Sequence, residues 1–100
     1  MPTLSIISWR DIPAQVVVRR GRETAKVQLS SRFQEAVDRA AMRAGRGASD
    51  AYLADWRRSE GRPCGEDIQA EAAAEAARIE ERFSDAQLEA LIKAKGLAGA

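Results

Sequence analysis

The sequence predicts an α+β fold, a three-stranded antiparallel sheet at the N-terminus followed by four helices. Three observations carry this. Residues 3–29 are rich in β-branched side chains, and their last stretch alternates apolar with polar positions. From Ser31 onward the apolar positions recur at helical spacing. Glycine or proline punctuates the changeovers.

The first strand covers about residues 3–9, Thr-Leu-Ser-Ile-Ile-Ser-Trp, which is apolar on both faces as a central strand is. Asp11-Ile12-Pro13 stops it, because proline has no amide to donate and restricts the residue before it. Val16-Val17-Val18 carries the second strand, about 14–19. Gly21 supplies the positive φ that a hairpin turn needs. In the third strand, about 24–29, Ala25, Val27 and Leu29 share one face and Thr24, Lys26 and Gln28 the other.

Ser31 and Gln34 have capping-box spacing and open a helix over about 32–44, with Phe33, Val37, Ala40, Ala41 and Ala44 on one side. Gly45-Arg46-Gly47 ends it. Ser49 or Asp50 caps a second helix, about 50–58, whose Tyr52, Leu53 and Trp56 share a side. Ser59 to Gly65 holds two glycines and Pro63 and reads as a loop. A third helix, about 67–82, carries the stripe Ile68, Ala72, Ala76, Ile79 and Phe83, with acids at its start and arginines at its end to match the helix dipole. Ser84 and Gln87 repeat the capping box and open a fourth helix, about 85–95, with Gly96 as its stop. The expected organisation is one domain: sheet and two helices over 1–58, a loop at 59–65, and a helical hairpin over 66–100.

The composition limits what this domain can do. Of its 100 residues 45% are hydrophobic, but much of that share is alanine and only 5% are aromatic. So light a core, valued at roughly 25 cal/mol per Å² of apolar surface, favours docking onto a partner or forming a homodimer. The net charge of +1 divides unevenly, with +5 over residues 1–62 (12 Lys/Arg, 7 Asp/Glu) and −4 over 63–100 (4 Lys/Arg, 8 Asp/Glu). Such a chain can present a basic face to an acidic partner. There is neither a leader-like start nor a membrane-length apolar run, and with only one cysteine the expected location is the cytoplasm.

Histidine is absent, which removes the usual neutral-pH base, the Ser-His and Cys-His nucleophile pairs and most zinc sites. No phosphate-cradling glycine loop is present. No cofactor or metal is expected, and the isolated chain reads as non-catalytic. An enzymatic role would need carboxylates such as Asp11 or Asp38 in a site shared with a partner.

Three features remain as candidate sites. Cys64, beside Arg62 in the expected loop, is either an incidental thiol or a reactive one. Trp9 and Arg10 at a strand end, with Tyr52, Trp56 and Arg57, combine the residue types that anchor protein interfaces. The run 24–56, strand–helix–turn–helix, looks like a ribbon-helix-helix module, a dimeric DNA-binding fold in which Thr24, Lys26 and Gln28 would face bases.

Three strings carry a resemblance: Trp-Arg-Asp-Ile-Pro-Ala-Gln-Val (9–16), Asp-Arg-Ala-Ala-Met-Arg-Ala-Gly (38–45) and Ser-Asp-Ala-Tyr-Leu-Ala-Asp-Trp-Arg-Arg (49–58). Together they resemble a family of short proteobacterial proteins known simply as virulence factors, related to a module of the longer conserved virulence factor C of Gram-positive bacteria. The resemblance covers most of residues 4–83. It records a phenotype and implies no reaction or catalytic residue. Such genes tend to lie beside those for methylenetetrahydrofolate reductase-like and corrinoid-dependent enzymes, so the resemblance implies an accessory role in one-carbon metabolism. The reading that follows is a non-catalytic interaction protein that binds a larger partner, and the alternative is the DNA-binding dimer.

Overall fold

In the computed structural model, which describes residues 1–45 and 49–97, the β-branched N-terminus forms an antiparallel meander of β1 (Thr3–Trp9), β2 (Ile12–Arg20) and β3 (Glu23–Gln28). Gly21, at φ +61°, is the first central residue of the two-residue turn between β2 and β3, where a side chain would be strained. Pairing places Leu4, Val18 and Ala25 in one row and Ile6, Val16 and Val27 in the next, and both rows face the core. Ser5, Val17 and Lys26 form the row between them and point the other way.

Four helices follow: α1 (Ser31–Arg43), α2 (Ser49–Ala54), α3 (Ile68–Arg82) and α4 (Asp85–Lys93). The sheet, however, has five strands rather than the three expected. Trp56–Arg58, expected as the end of the second helix, is a strand, β4, that pairs antiparallel with Ile7–Trp9. Arg62–Pro63, expected within a loop, is a short strand, β5, that pairs with Thr3 and Leu4. The reason lies in β1, whose second edge would otherwise be left with unpaired backbone groups. Ser59 N–H donates to Ile6 O at 2.9 Å, Ser59 Oγ accepts from Ile6 N–H at 2.8 Å, and Cys64 N–H donates to Pro2 O at 3.1 Å. The strand order is β3-β2-β1-β4, with β5 also on β1.

The first strand ends at Trp9 as expected, but the second begins at Ile12 rather than 14 and takes in Pro13. The proline sits inside β2, where the register with β1 jumps between Ile7 and Ser8, so the missing amide falls at an irregularity. Ala14 is the extra residue, on β2, and opposite it the end of β1 departs from regular alternation. Ile6 and Trp9 are separated by an odd spacing and a regular strand would send them to opposite faces, yet both belong to the core.

The helix starts follow the sequence in part. Asp67 accepts from Ala70 N–H, and Ser84 with Gln87 makes the full reciprocal capping box. The box expected at Ser31 and Gln34 is not made: the N-cap is Ser30, with no side-chain cap bond, and its hydroxyl goes to Glu80. Gly45, at φ +71°, follows the end of α1, while Arg46 and Gly47 lie outside the described residues. α3 and α4, expected as a hairpin, take different partners, α3 lying across β2 and β3 and α4 beside α1. One apolar cluster joins them, from Leu4, Val16 and Val18 through Phe33 and Val37 to Ile79, Leu88 and Leu91. Among the described residues no helix is long and apolar enough to cross a membrane.

Glu80 ties α3 to the start of α1. Its carboxylate accepts from Ser30 N–H at 2.7 Å, Ser30 Oγ at 2.9 Å and the Arg32 guanidinium at 3.2 Å. Burial alone would raise its pKa, but these bonds and the Arg32 charge outweigh it and hold the carboxyl below its usual range. A lowered folded pKa stabilises the fold above the unfolded pKa and is lost as pH falls through the folded value. Glu80→Gln is therefore expected to cost about 1.5–3 kcal/mol in urea unfolding at neutral pH, with the difference closing in acid.

Candidate functional site

The tryptophan–arginine cluster is a clasp inside the fold. Trp9 is 0% exposed, and its Nε1–H donates to Tyr52 O at 2.9 Å. Its ring stacks on Tyr52 with centroids 6.1 Å apart, and Tyr52 meets Trp56 edge-on at 5.8 Å. Arg10, at φ +52°, lays its guanidinium 5.0 Å from the Trp9 ring centroid. Its Nε donates to Asp55 Oδ2 at 3.3 Å, and its Nη1 to Lys95 O at 2.8 Å. The backbone repeats the links, with Arg10 N–H to Asp55 O and Asp11 N–H to Gly96 O. Three distant segments, 9–11, 52–56 and 95–96, are thereby locked together.

That arrangement corrects the expected partner surface. Trp9 is sealed and Arg10 nearly so, at the end of β1 that follows the bulge at Ala14 of β2. Tyr52 and Trp56 are half-buried against them. Arg57 alone is exposed, and it lies 3.7 Å from Asp11. The other single residues are also engaged. Burial first, then the Glu71 charge, push the Cys64 thiol up against the opposing pull of Arg62, the reverse of what an activated nucleophile needs. Asp38, on the exposed side of α1, accepts from Gln34 Nε2 at 3.0 Å. Among the described residues no group of three or more carboxylate or thiol side chains is placed to hold a metal ion.

The face of the sheet turned away from the core is different in kind. Alternation puts Thr24, Lys26 and Gln28 on it, all exposed, as the sequence predicts. Across the strands come Arg19 beside Thr24, Val17 beside Lys26, and Arg58 beside Ile7. Ile7, Val17, Arg19, Thr24, Lys26 and Arg58 line a shallow depression of about 260 Å³. Val17 lies among them and is only 3% exposed. No carboxylate lines this depression, and no ion pair engages Arg19, Lys26 or Arg58 among the described residues. Several other exposed arginines do have carboxylate partners: Arg39 pairs with Glu89, and Arg62 and Arg78 with the buried Glu75.

Sequence reasoning found Lys26 through strand alternation and missed its two companions. Arg19 was legible, since it follows Val17 by one strand period. Arg58 was not, because residues 56–58 read as helix until β1 claims them.

The model of the virulence factor family matches the chain over residues 7–92. The chain belongs to the virulence factor family. No curated protein and no solved structure matches it. In this virulence factor family member, residues 9–16 and 49–58 supply most of the clasp, the start of β2 and the whole of β4. The ribbon-helix-helix comparison meets two departures. β3 is already paired with β2 along its length, and the second helix ends at Ala54.

Proposed function

We propose that this virulence factor family member is a non-catalytic accessory protein that docks onto an acidic surface of a larger protein through the open face of its sheet. One observation carries the reading: three cations, Arg19, Lys26 and Arg58, share one depression with the apolar Ile7 and Val17 and have no carboxylate among them. An apolar centre with a polar, charged rim is the anatomy of a protein interface. Unanswered positive charge on that rim selects an acidic partner and speeds encounter. The same face favours protein over nucleic acid, since no aromatic ring lines it to stack on a base and the chain's net charge is only +1.

The family resemblance makes a methylenetetrahydrofolate reductase-like enzyme of the same genome the first partner to test. The decisive variant carries Arg19→Glu, Lys26→Glu and Arg58→Glu together. All three side chains are exposed, so stability is expected to move by less than about 0.5 kcal/mol for each. Affinity for the co-purifying companion is expected to fall at least about tenfold, and raised salt to weaken the unmodified complex. Full retention of the companion by the triple variant contradicts the reading. Binding of duplex DNA that weakens steeply with salt, with no protein companion, replaces it with the DNA-binding alternative.

A further inference from the structure

Among the described residues the sheet has one long unpaired edge. β3 runs for six residues, whereas β4 at the other end of the path has three. Leu29 N–H donates to Ala14 O at 3.0 Å, which marks that couple as hydrogen-bonded. Counting along the antiparallel register, Val16/Val27, Val18/Ala25 and Arg20/Glu23 are the other couples that exchange bonds. The amides and carbonyls of Thr24, Lys26 and Gln28 therefore point outward from the sheet. All three residues are exposed, β3 ends the strand order, and among the described residues no strand pairs with β3 on that side.

We propose that this edge takes up an extended, acid-bearing segment of the partner as an added strand; the inference rests on the docking reading above and gives its mode. Strand addition takes its affinity from main-chain bonds and its selectivity from side chains on alternate positions. Here the alternate positions on the open face are Thr24 and Lys26, with Arg19 one strand behind. A segment with carboxylates at every second position sets them beside Lys26 and Arg19 while its other side chains turn toward the α3 side. The same lysine works against a second copy of this chain. In the self-paired register centred on the edge, Lys26 faces Lys26, and like charges directly opposed are destabilising.

The test titrates the full chain with acetyl-Val-Glu-Val-Glu-Val-Glu-Val-amide, using the peptide with lysine for glutamate as control, and follows backbone amide exchange. Bound acidic peptide is expected to slow exchange at Thr24, Lys26 and Gln28 by about tenfold or more, with no response to the lysine peptide. Lys26→Pro removes an outward N–H that β2 does not use, and is expected to weaken binding at least about tenfold. Lys26→Glu, which leaves the backbone intact, is expected to do the same if the proline variant fails to fold. Peptide binding without protection of those amides, or undiminished in both variants, overturns strand addition while leaving docking through the face in place. No binding of either peptide also overturns it. Protection that appears with protein concentration alone assigns the edge to a second copy, and protection by duplex DNA assigns it to nucleic acid; either result overturns the acidic strand. Retention of the companion by the triple charge reversal is the separate result that removes the docking reading itself.

Discussion

Trp9→Ala is expected to destabilise the fold by about 3–5 kcal/mol, the range for deleting a large buried aromatic, against a total of about 5–15 kcal/mol for a typical domain. The size follows from what the ring does. It is fully buried, stacks on Tyr52, lies beneath the Arg10 guanidinium and donates to Tyr52 O. Its removal opens a void and leaves the Tyr52 carbonyl without that donor. Trp9→Phe keeps an aromatic surface but not the N–H, and is expected to cost less. Chemical unfolding of the three proteins measures the order. An alanine variant as stable as the parent would mean that the tryptophan is not the structural centre described here.

Gly96→Ala is expected to cost about 2–4 kcal/mol, more than the same change at Gly21, which is expected to cost about 1–2 kcal/mol. Both glycines have positive φ, +84° and +61°, so both pay the conformational strain of a side chain. The difference is space. A methyl group at Gly96 would lie 2.9 Å from Trp9 Cζ3 and 3.2 Å from Cε3, whereas at Gly21 nothing stands within 4 Å. Gly96 also accepts from Asp11 N–H at 2.8 Å, so any retreat from the ring strains the link between the β1–β2 turn and the end of α4. Equal losses at the two positions would show that conformation alone sets the cost.

Much of the fold is legible in the sequence, and the parts that are not share a cause. The meander, the Gly21 turn, the Asp67 cap and the Ser84–Gln87 capping box are local, each written in a few adjacent residues. β4 and β5 are not local. They are strands because β1 has an edge to fill, and Trp56-Arg57-Arg58 by itself carries no strand signal stronger than its helical one. The Ser30–Glu80 bonds are equally remote in sequence, and they take the place of the capping box that Ser31 and Gln34 suggest.

The candidate site divides in the same way. Thr24, Lys26 and Gln28 are placed correctly by alternation alone. Trp9 and Arg10 have the composition of an interface anchor, yet Trp9 is buried and Arg10 nearly so, beside segments 52–56 and 95–96 that lie far away in sequence. Arg58 joins the basic face only through the pairing of β4 with Ile7.

Docking through the open face is tested most directly by a photo-crosslinking amino acid placed at Thr24, and in a second protein at Met42 on the exposed side of α1, in cells that naturally make the protein. The reading predicts one discrete adduct from position 24, matching the co-purifying companion and lost when Arg19→Glu and Arg58→Glu are added, with none from position 42. An adduct from position 42 with none from position 24, or one from position 24 that survives both charge reversals, contradicts it.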